Sequence, residues 1–265
     1  MSIFRENLLL HKTAFVTGGS SGIGLRMAER FAEHGANVAL LGRKQDKLDA
    51  AAESIRSRGA GVATHAVDVR DYASVEAALQ STRNHFGEID ILVCGAAGNF
   101  PAPVTGISAN GFKAVIDIDL LGTFNTCRAA YPHLRKPGAS LIAISASFAF
   151  QPVAFQAHVG AAKAGIDNLM KTLAIEWGPD GIRCNSITPG PTDDTEGMRR
   201  LAPTDEARRR AMRGVPLGRF GTKDELADLA LFLCSDAARY ITGSVYVCDG
   251  GSSLARPGLS LQALE

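Results

Sequence analysis

The strongest constraint on the fold is an alternation that runs the length of the chain. Short apolar, β-rich runs are separated by amphipathic helical stretches, and the glycine turn TGGSSGIG (17–24) stands at the first junction. TAFVTGG (13–19), NVALLG (37–42), GVATHAVDV (61–69), IDILVCGAAG (89–98), SLIAIS (140–145), IRCNSITPG (182–190) and SVYVCDGG (244–251) read as seven strands. Their near-continuous Val, Ile, Leu and Ala content suits strands covered on both faces, as in a parallel sheet. Residues 22–34, 46–58, 72–86, 111–134, 155–177 and 223–235 read as helices, with Gly35, Gly59 and Gly87 as stop signals. With no linker and no repeat, 1–265 is expected to be a single doubly wound α/β domain, a seven-stranded parallel sheet with helices on both faces. The stretch 191–222 fits least well. It is rich in charge, holds three prolines and follows a strand end, which is where a substrate lid would hang.

Composition excludes several classes. A 265-residue chain with 46% hydrophobic and 21% charged residues is ordinary for a globular protein. Its net charge of +1 gives no global pull toward nucleic acid or membrane. The five cysteines lack CxxC spacing and lie in apolar runs, so they read as reduced core residues rather than disulfides or a metal site. MSIFRENLLLHK does not read as a secretion signal, no apolar run spans a bilayer, and the terminal ALE is not an SKL-type address. A cytoplasmic location is therefore the expectation.

The glycine turn carries the first chemical reading. In Gly18-x3-Gly22-x-Gly24 the glycines permit a tight turn and let backbone approach a pyrophosphate. The helix N-terminus offers N–H groups and a positive dipole to that anion. Gly18, Ser20, Ser21, Gly22, Ile23 and Gly24 are thus candidate dinucleotide-binding residues; the alternative is a glycine-rich βα turn without a ligand. At the end of strand two, where an acidic residue would hold the ribose of NAD, stand Arg43 and Lys44. Two cations suit the 2′-phosphate of NADPH, or form a solvated loop pair. Asp68 and Val69, ending strand three, can hold the adenine edge, or Asp68 can cap the next helix.

TGGSSGIG, CGAAG (94–98), the helix around Lys163 and ITPGP (187–191), in this order, resemble the short-chain dehydrogenase/reductase family over nearly the whole chain. The resemblance implies a Rossmann-type fold and often a tetramer. The family's Asn, Ser, Tyr and Lys fall on Asp119, Ala146, Val159 and Lys163, so only the lysine survives. None of Tyr72, Tyr131, Tyr240 and Tyr246 lies near Lys163 in sequence, and no small alignment slip restores the pattern. AAGNFPAP (96–103), DIDLLGTFN (117–125), QAHVGAAKAG (156–165) and PGPTDDTEGMRRL (189–201) resemble a branch that also lacks the tyrosine, the peroxisomal-type 2,4-dienoyl-CoA reductases.

That resemblance implies NADPH as cofactor, an acyl-CoA substrate and a homotetramer. It also implies a water held by Asp119 and Lys163, with Lys163 on the nicotinamide ribose as well. Pro189, Gly190 and Thr192 border the nicotinamide on this reading, and Arg70, Phe100 and Arg200 touch substrate. Seven arginines between 199 and 219, offset there only by Asp205 and Glu206, suit the phosphates of coenzyme A or form a charged surface helix. His158 reads as packing or substrate shaping rather than as part of the catalytic set.

The chemistry tolerates the loss of the tyrosine. Carbonyl reduction needs an acid for the oxygen, and positions 146 and 159 carry no hydroxyl. Hydride addition at C5 of a dienoyl thioester instead leaves an extended enolate, and the final proton goes to carbon C2. The alternatives are reduction of ketoacyl or enoyl thioesters by another acid, and a non-catalytic NADPH-binding scaffold or sensor.

Overall fold

The computed structural model describes residues 4–255. Seven strands form one parallel sheet in the order β3-β2-β1-β4-β5-β6-β7. They are β1 (Thr13–Thr17), β2 (Asn37–Gly42), β3 (Val62–Ala66), β4 (Ile91–Cys94), β5 (Ser140–Ile144), β6 (Arg183–Pro189) and β7 (Val245–Cys248). β1 lies between β2 and β4, and all five of its residues are buried. Its Phe15 faces one apolar layer, while Ala14 and Val16 face the other. The first layer is covered by α3 (Tyr72–Phe86), α5 (Gly122–Ala130) and α6 (Ala157–Trp177). The second is covered by α1 (Gly22–Glu33), α2 (Gln45–Arg56) and α9 (Lys223–Cys234). The sheet is thus buried on both sides, as its unbroken apolar strands require. The connections leave β1 and β4 in opposite directions, so a crevice opens at their C-terminal ends.

Most elements fall where the sequence puts them, within a few residues at each end. One does not. The single helix expected over 111–134 is four pieces: α4 (Ala109–Ile116), a π-helical segment (Asp117–Leu121), α5 and a short 3-10 turn (Tyr131–His133). Ser108 starts α4 by accepting a hydrogen bond from Gly111 N. The π segment adds a residue to the turn, a distortion that recurs at functional sites. A 3.6-residue reading of the apolar string cannot register it. The Thr123 hydroxyl donates to the Asp119 carbonyl at 2.6 Å, and that of Thr126 to the Gly122 carbonyl at 2.7 Å. Gly122 is required here, because a Cβ would lie 2.5 Å from Val69 Cγ2.

Asp68 does not cap α3. Asp71 does, accepting from Ser74 N at 3.2 Å, while Asp68 turns to Arg70. The stretch 191–222 holds two short helices, α7 (Glu196–Leu201) and α8 (Asp205–Arg213), capped by Thr195 and Thr204. Its arginines are better compensated than the local sequence suggests. Arg208 pairs with Asp193 and Arg219 with Glu225, both outside the acidic pair read from sequence. Among the described residues no helix is long and apolar enough to cross a membrane. All five cysteines are free, with Cys94, Cys127 and Cys184 buried.

Candidate active site

The crevice at β1 and β4 is a cavity of about 400 Å³, within the ~300–1,000 Å³ usual for small-molecule sites. Gly18, Ser20, Ser21, Ile23, Gly24, Arg43, Lys44, Asp68 and Val69, expected from sequence, all line it. Gly22 belongs to the same turn, with φ +60° and open space where a Cβ would stand. Gly18 is pressed against the β4 exit, so a Cβ there would lie 2.6 Å from Gly95 carbonyl atoms. Ser21 precedes α1 without a side-chain cap, and no acidic residue stands in the first turn. The first N–H groups of α1 therefore have no capping side chain at the mouth of a cavity, which is the donor set an anionic pyrophosphate needs. Arg43 and Lys44 make no ion pair among the described residues. These residues fit a phosphate-bearing dinucleotide.

The floor of the site is built from four elements. Asp119 lies in the π segment and is 0% exposed. Its Oδ1 accepts from Gly98 N at 2.7 Å, and its Oδ2 is 3.2 Å from Lys163 Nζ. Lys163, on α6, donates to the Ile144 carbonyl at the end of β5 at 2.9 Å. Ile118, next to Asp119, and Ile144, bonded to Lys163, line the cavity, whereas Asp119 and Lys163 themselves do not. One turn along α6, Asp167 accepts from the Ser145 hydroxyl at 2.9 Å, and burial pushes its carboxyl above the usual range.

The hydroxyl positions of the short-chain pattern carry no hydroxyl here. Val159 is 3% exposed and packs with Val115 and Ala162, so it is a packed wall rather than an open one. No tyrosine stands in its place: Tyr131 bonds Asp180, Tyr240 is fully exposed, and Tyr72 and Tyr246 pack against the two apolar layers.

Other expected residues are less central. Arg70 is held by Asp68, with bonds of 3.0 and 2.7 Å, and the Arg70 guanidinium keeps the Asp68 carboxyl below its ordinary range. Arg200 reaches across from α7 to the Asn99 carbonyl at 3.1 Å, tying the 191–222 stretch to the loop after β4. Phe100 is 37% exposed and sets its ring against His158. Pro189, Gly190 and Thr192 do not line the dinucleotide cavity. Gly190 meets the turn after β7, where a Cβ would lie 2.4 Å from Asp249 Cα, and the Thr192 hydroxyl donates to the Gly190 carbonyl at 3.0 Å. Thr195 and Lys47, not singled out from sequence, line the cavity. Thr195 was legible only as a helix cap, and Lys47 only as a residue in the first turn of α2.

Comparison with known proteins agrees with this geometry. A family model described as enoyl-(acyl carrier protein) reductase matches residues 18–253. The chain is 43% identical to the peroxisomal (3E)-enoyl-CoA-producing 2,4-dienoyl-CoA reductase of Danio rerio, over 95% of this chain and 85% of that protein. It is 41% identical to the probable (2E)-enoyl-CoA-producing 2,4-dienoyl-CoA reductase of Bacillus subtilis, over 92% and 97%. Among solved structures, levodione reductase superposes with a TM-score of 0.89 at 30% identity, covering 94% of this chain and 100% of that one. The cytoplasmic expectation does not stand. Similar proteins from zebrafish, yeast and Arabidopsis thaliana are named peroxisomal, and the expectation rested on the lack of a secretion signal, a bilayer-spanning run and a terminal address, the last read at ALE, which lies outside the described residues. With a glycine-turn cavity at the β1–β4 crevice, a buried lysine on α6 and a matching family model over residues 18–253, the chain belongs to the short-chain dehydrogenase/reductase family of nicotinamide-dependent oxidoreductases.

Proposed function

We propose that this protein is an NADPH-dependent 2,4-dienoyl-CoA reductase of unsaturated fatty acid β-oxidation, releasing a (3E)-enoyl-CoA. The observation that carries this reading is a buried Asp119–Lys163 pair in a site whose positions 146 and 159 have no hydroxyl. The similarity to the zebrafish (3E)-enoyl-CoA-producing enzyme supports the same substrate and product.

The dinucleotide is held by the glycine turn and the α1 N-terminus at its pyrophosphate, by Arg43 and Lys44 at its 2′-phosphate, and by Asp68 and Val69 at its adenine. Lys163 holds the nicotinamide ribose, with Pro189, Gly190 and Thr192 at the nicotinamide. When bound, the cofactor supplies a hydride. Asp119 and Lys163 orient a water whose proton goes to C2 of the substrate, so no acid for a carbonyl oxygen is needed. Without such an acid, ketoacyl reduction is disfavoured. The 191–222 stretch serves as the lid, tied to the loop after β4 through Arg200, with Arg70 and Phe100 also against substrate. Phe112, Leu121 and Phe124 on the α4–α5 region and Ile175 on α6 are exposed apolar side chains, and their exposure supports burial in a homotetramer.

The function is tested by following NADPH oxidation with a 2,4-dienoyl-CoA, a 3-ketoacyl-CoA and no substrate. Turnover is expected with the dienoyl-CoA alone, and Asp119→Asn should lower kcat by roughly 10²-fold or more while NADPH still binds. Turnover of the ketoacyl-CoA alone, or of neither, contradicts the reading. Arg43→Ala should weaken NADPH binding by about 1–3 kcal/mol and leave NADH binding unchanged, as isothermal titration will read; equal losses for both cofactors remove the 2′-phosphate assignment. Light scattering at micromolar concentration should give four times the chain mass, and a monomer contradicts the assembly.

A further inference from the structure

Near the Asp119–Lys163 pair lies a set of polar side chains that the pair does not explain. Four buried side-chain atoms there have no hydrogen-bond partner among the described residues: Asn99 Oδ1, Gln156 Oε1 and both ring nitrogens of His158. Gln156 is 3% exposed and His158 0%. The two segments that carry these groups run side by side. Ala102 N donates to the Phe155 carbonyl at 3.1 Å, and the Phe100 ring stands edge-on to His158 with centroids 4.4 Å apart. Gly98 N bonds Asp119 at 2.7 Å, so residues 98–100 lead from the buried carboxylate to the imidazole.

Buried polar groups in folded proteins are nearly always paired, and each unpaired one is destabilising. Four such atoms on two segments that run side by side have the character of a site completed by its ligand. An imidazole has at least one N–H to give, while the two amide oxygens can only accept. The matching ligand offers one acceptor oxygen and several N–H donors. An acyl thioester of an amide-bearing thiol has both, the oxygen on the acyl carbon and the N–H groups along the arm. The site also needs such a donor. Charge develops on the thioester oxygen during reduction, positions 146 and 159 have no hydroxyl, and Lys163 is engaged by Ile144 and Asp119.

We propose that His158, Asn99 and Gln156 form the thioester subsite, which rests on the dienoyl-CoA reading. His158 donates an N–H to the thioester oxygen, and Asn99 and Gln156 accept from amide N–H groups of the thiol arm. His158 keeps its proton throughout; the proton that ends on carbon comes from the water at Asp119 and Lys163. Phe100, which covers His158 and is itself part-exposed, swings aside as the thioester enters.

The test compares wild type, His158→Leu and His158→Gln in the full-length protein. Thermal unfolding is measured without ligand and with a saturating dienoyl-CoA, NADPH affinity by fluorescence, and kcat and KM with the dienoyl-CoA. His158→Leu should bind NADPH as wild type does and melt at the same or a higher temperature, because it replaces unpaired nitrogens by apolar atoms. Its kcat should fall by roughly 10²-fold, as expected for loss of a donor to a developing oxyanion, while His158→Gln stays within about tenfold of wild type. Unchanged kcat and KM in His158→Leu overturn the proposal. Equal activity losses in both variants with lowered melting temperatures also overturn it, since they mark a packing role. If the wild type oxidises no NADPH with the thioester, the function fails rather than the subsite. The subsite then stands if dienoyl-CoA raises the wild-type melting temperature and not that of His158→Leu, and falls if neither rises.

Discussion

The site depends on one buried ion pair. Asp119 is cut off from solvent, and among the described residues its carboxylate is met by Lys163 Nζ at 3.2 Å and Gly98 N at 2.7 Å. An ionised carboxylate in such surroundings persists only when paired and hydrogen-bonded, and removing one partner from a buried pair typically costs about 3–5 kcal/mol. Lys163 in turn is fixed by the Ile144 carbonyl at 2.9 Å. The pair therefore joins the loop after β4, the π segment, β5 and α6 into one rigid floor beneath the dinucleotide cavity. The wider turn of the π segment sets where the carboxylate lies on that floor. The close approaches at Gly122 and Gly165, where a Cβ would lie 2.5 Å from Val69 and 2.8 Å from Leu120, hold the segment against its neighbours.

This floor explains how a site can lose a tyrosine and keep a reaction. A phenol is needed where charge ends on a carbonyl oxygen and must be neutralised there. At Val159 the chain instead presents packed hydrocarbon, and the ionisable groups lie below, in the Asp119–Lys163 pair. A site of this kind favours chemistry whose last proton goes to carbon through a held water. Conjugated thioester reduction has that form and simple carbonyl reduction does not.

Much of this was legible in the chain itself. The parallel sheet covered on both faces followed from its apolar runs, and the glycine turn together with the ends of strands two and three identified nine residues that line the cavity. What was not legible is non-local or aperiodic. The π segment hides inside an apolar string whose helical period looks continuous. Asp68 was read as a possible cap for α3, but Arg70 binds it and Asp71 caps the helix instead. The partners of Arg208 and Arg219 lie outside the arginine-rich window, so local counting overstated its free charge. The Thr192 hydroxyl donates to the Gly190 carbonyl, a local contact that spacing alone does not show. Cellular location was least accessible, because it depends on a recognised address rather than on folding physics.

The central claim, that the proton ends on carbon and not on oxygen, is tested most directly by isotopes. A 2,4-dienoyl-CoA is reduced with NADPH deuterated at the transferred position, and separately with unlabelled NADPH in deuterium oxide, and the products are read by NMR. The account predicts cofactor deuterium at C5 and solvent deuterium at C2 of a 3-enoyl product. Cofactor deuterium at C3 or on the carbonyl carbon, or a product bearing a new hydroxyl, contradicts it.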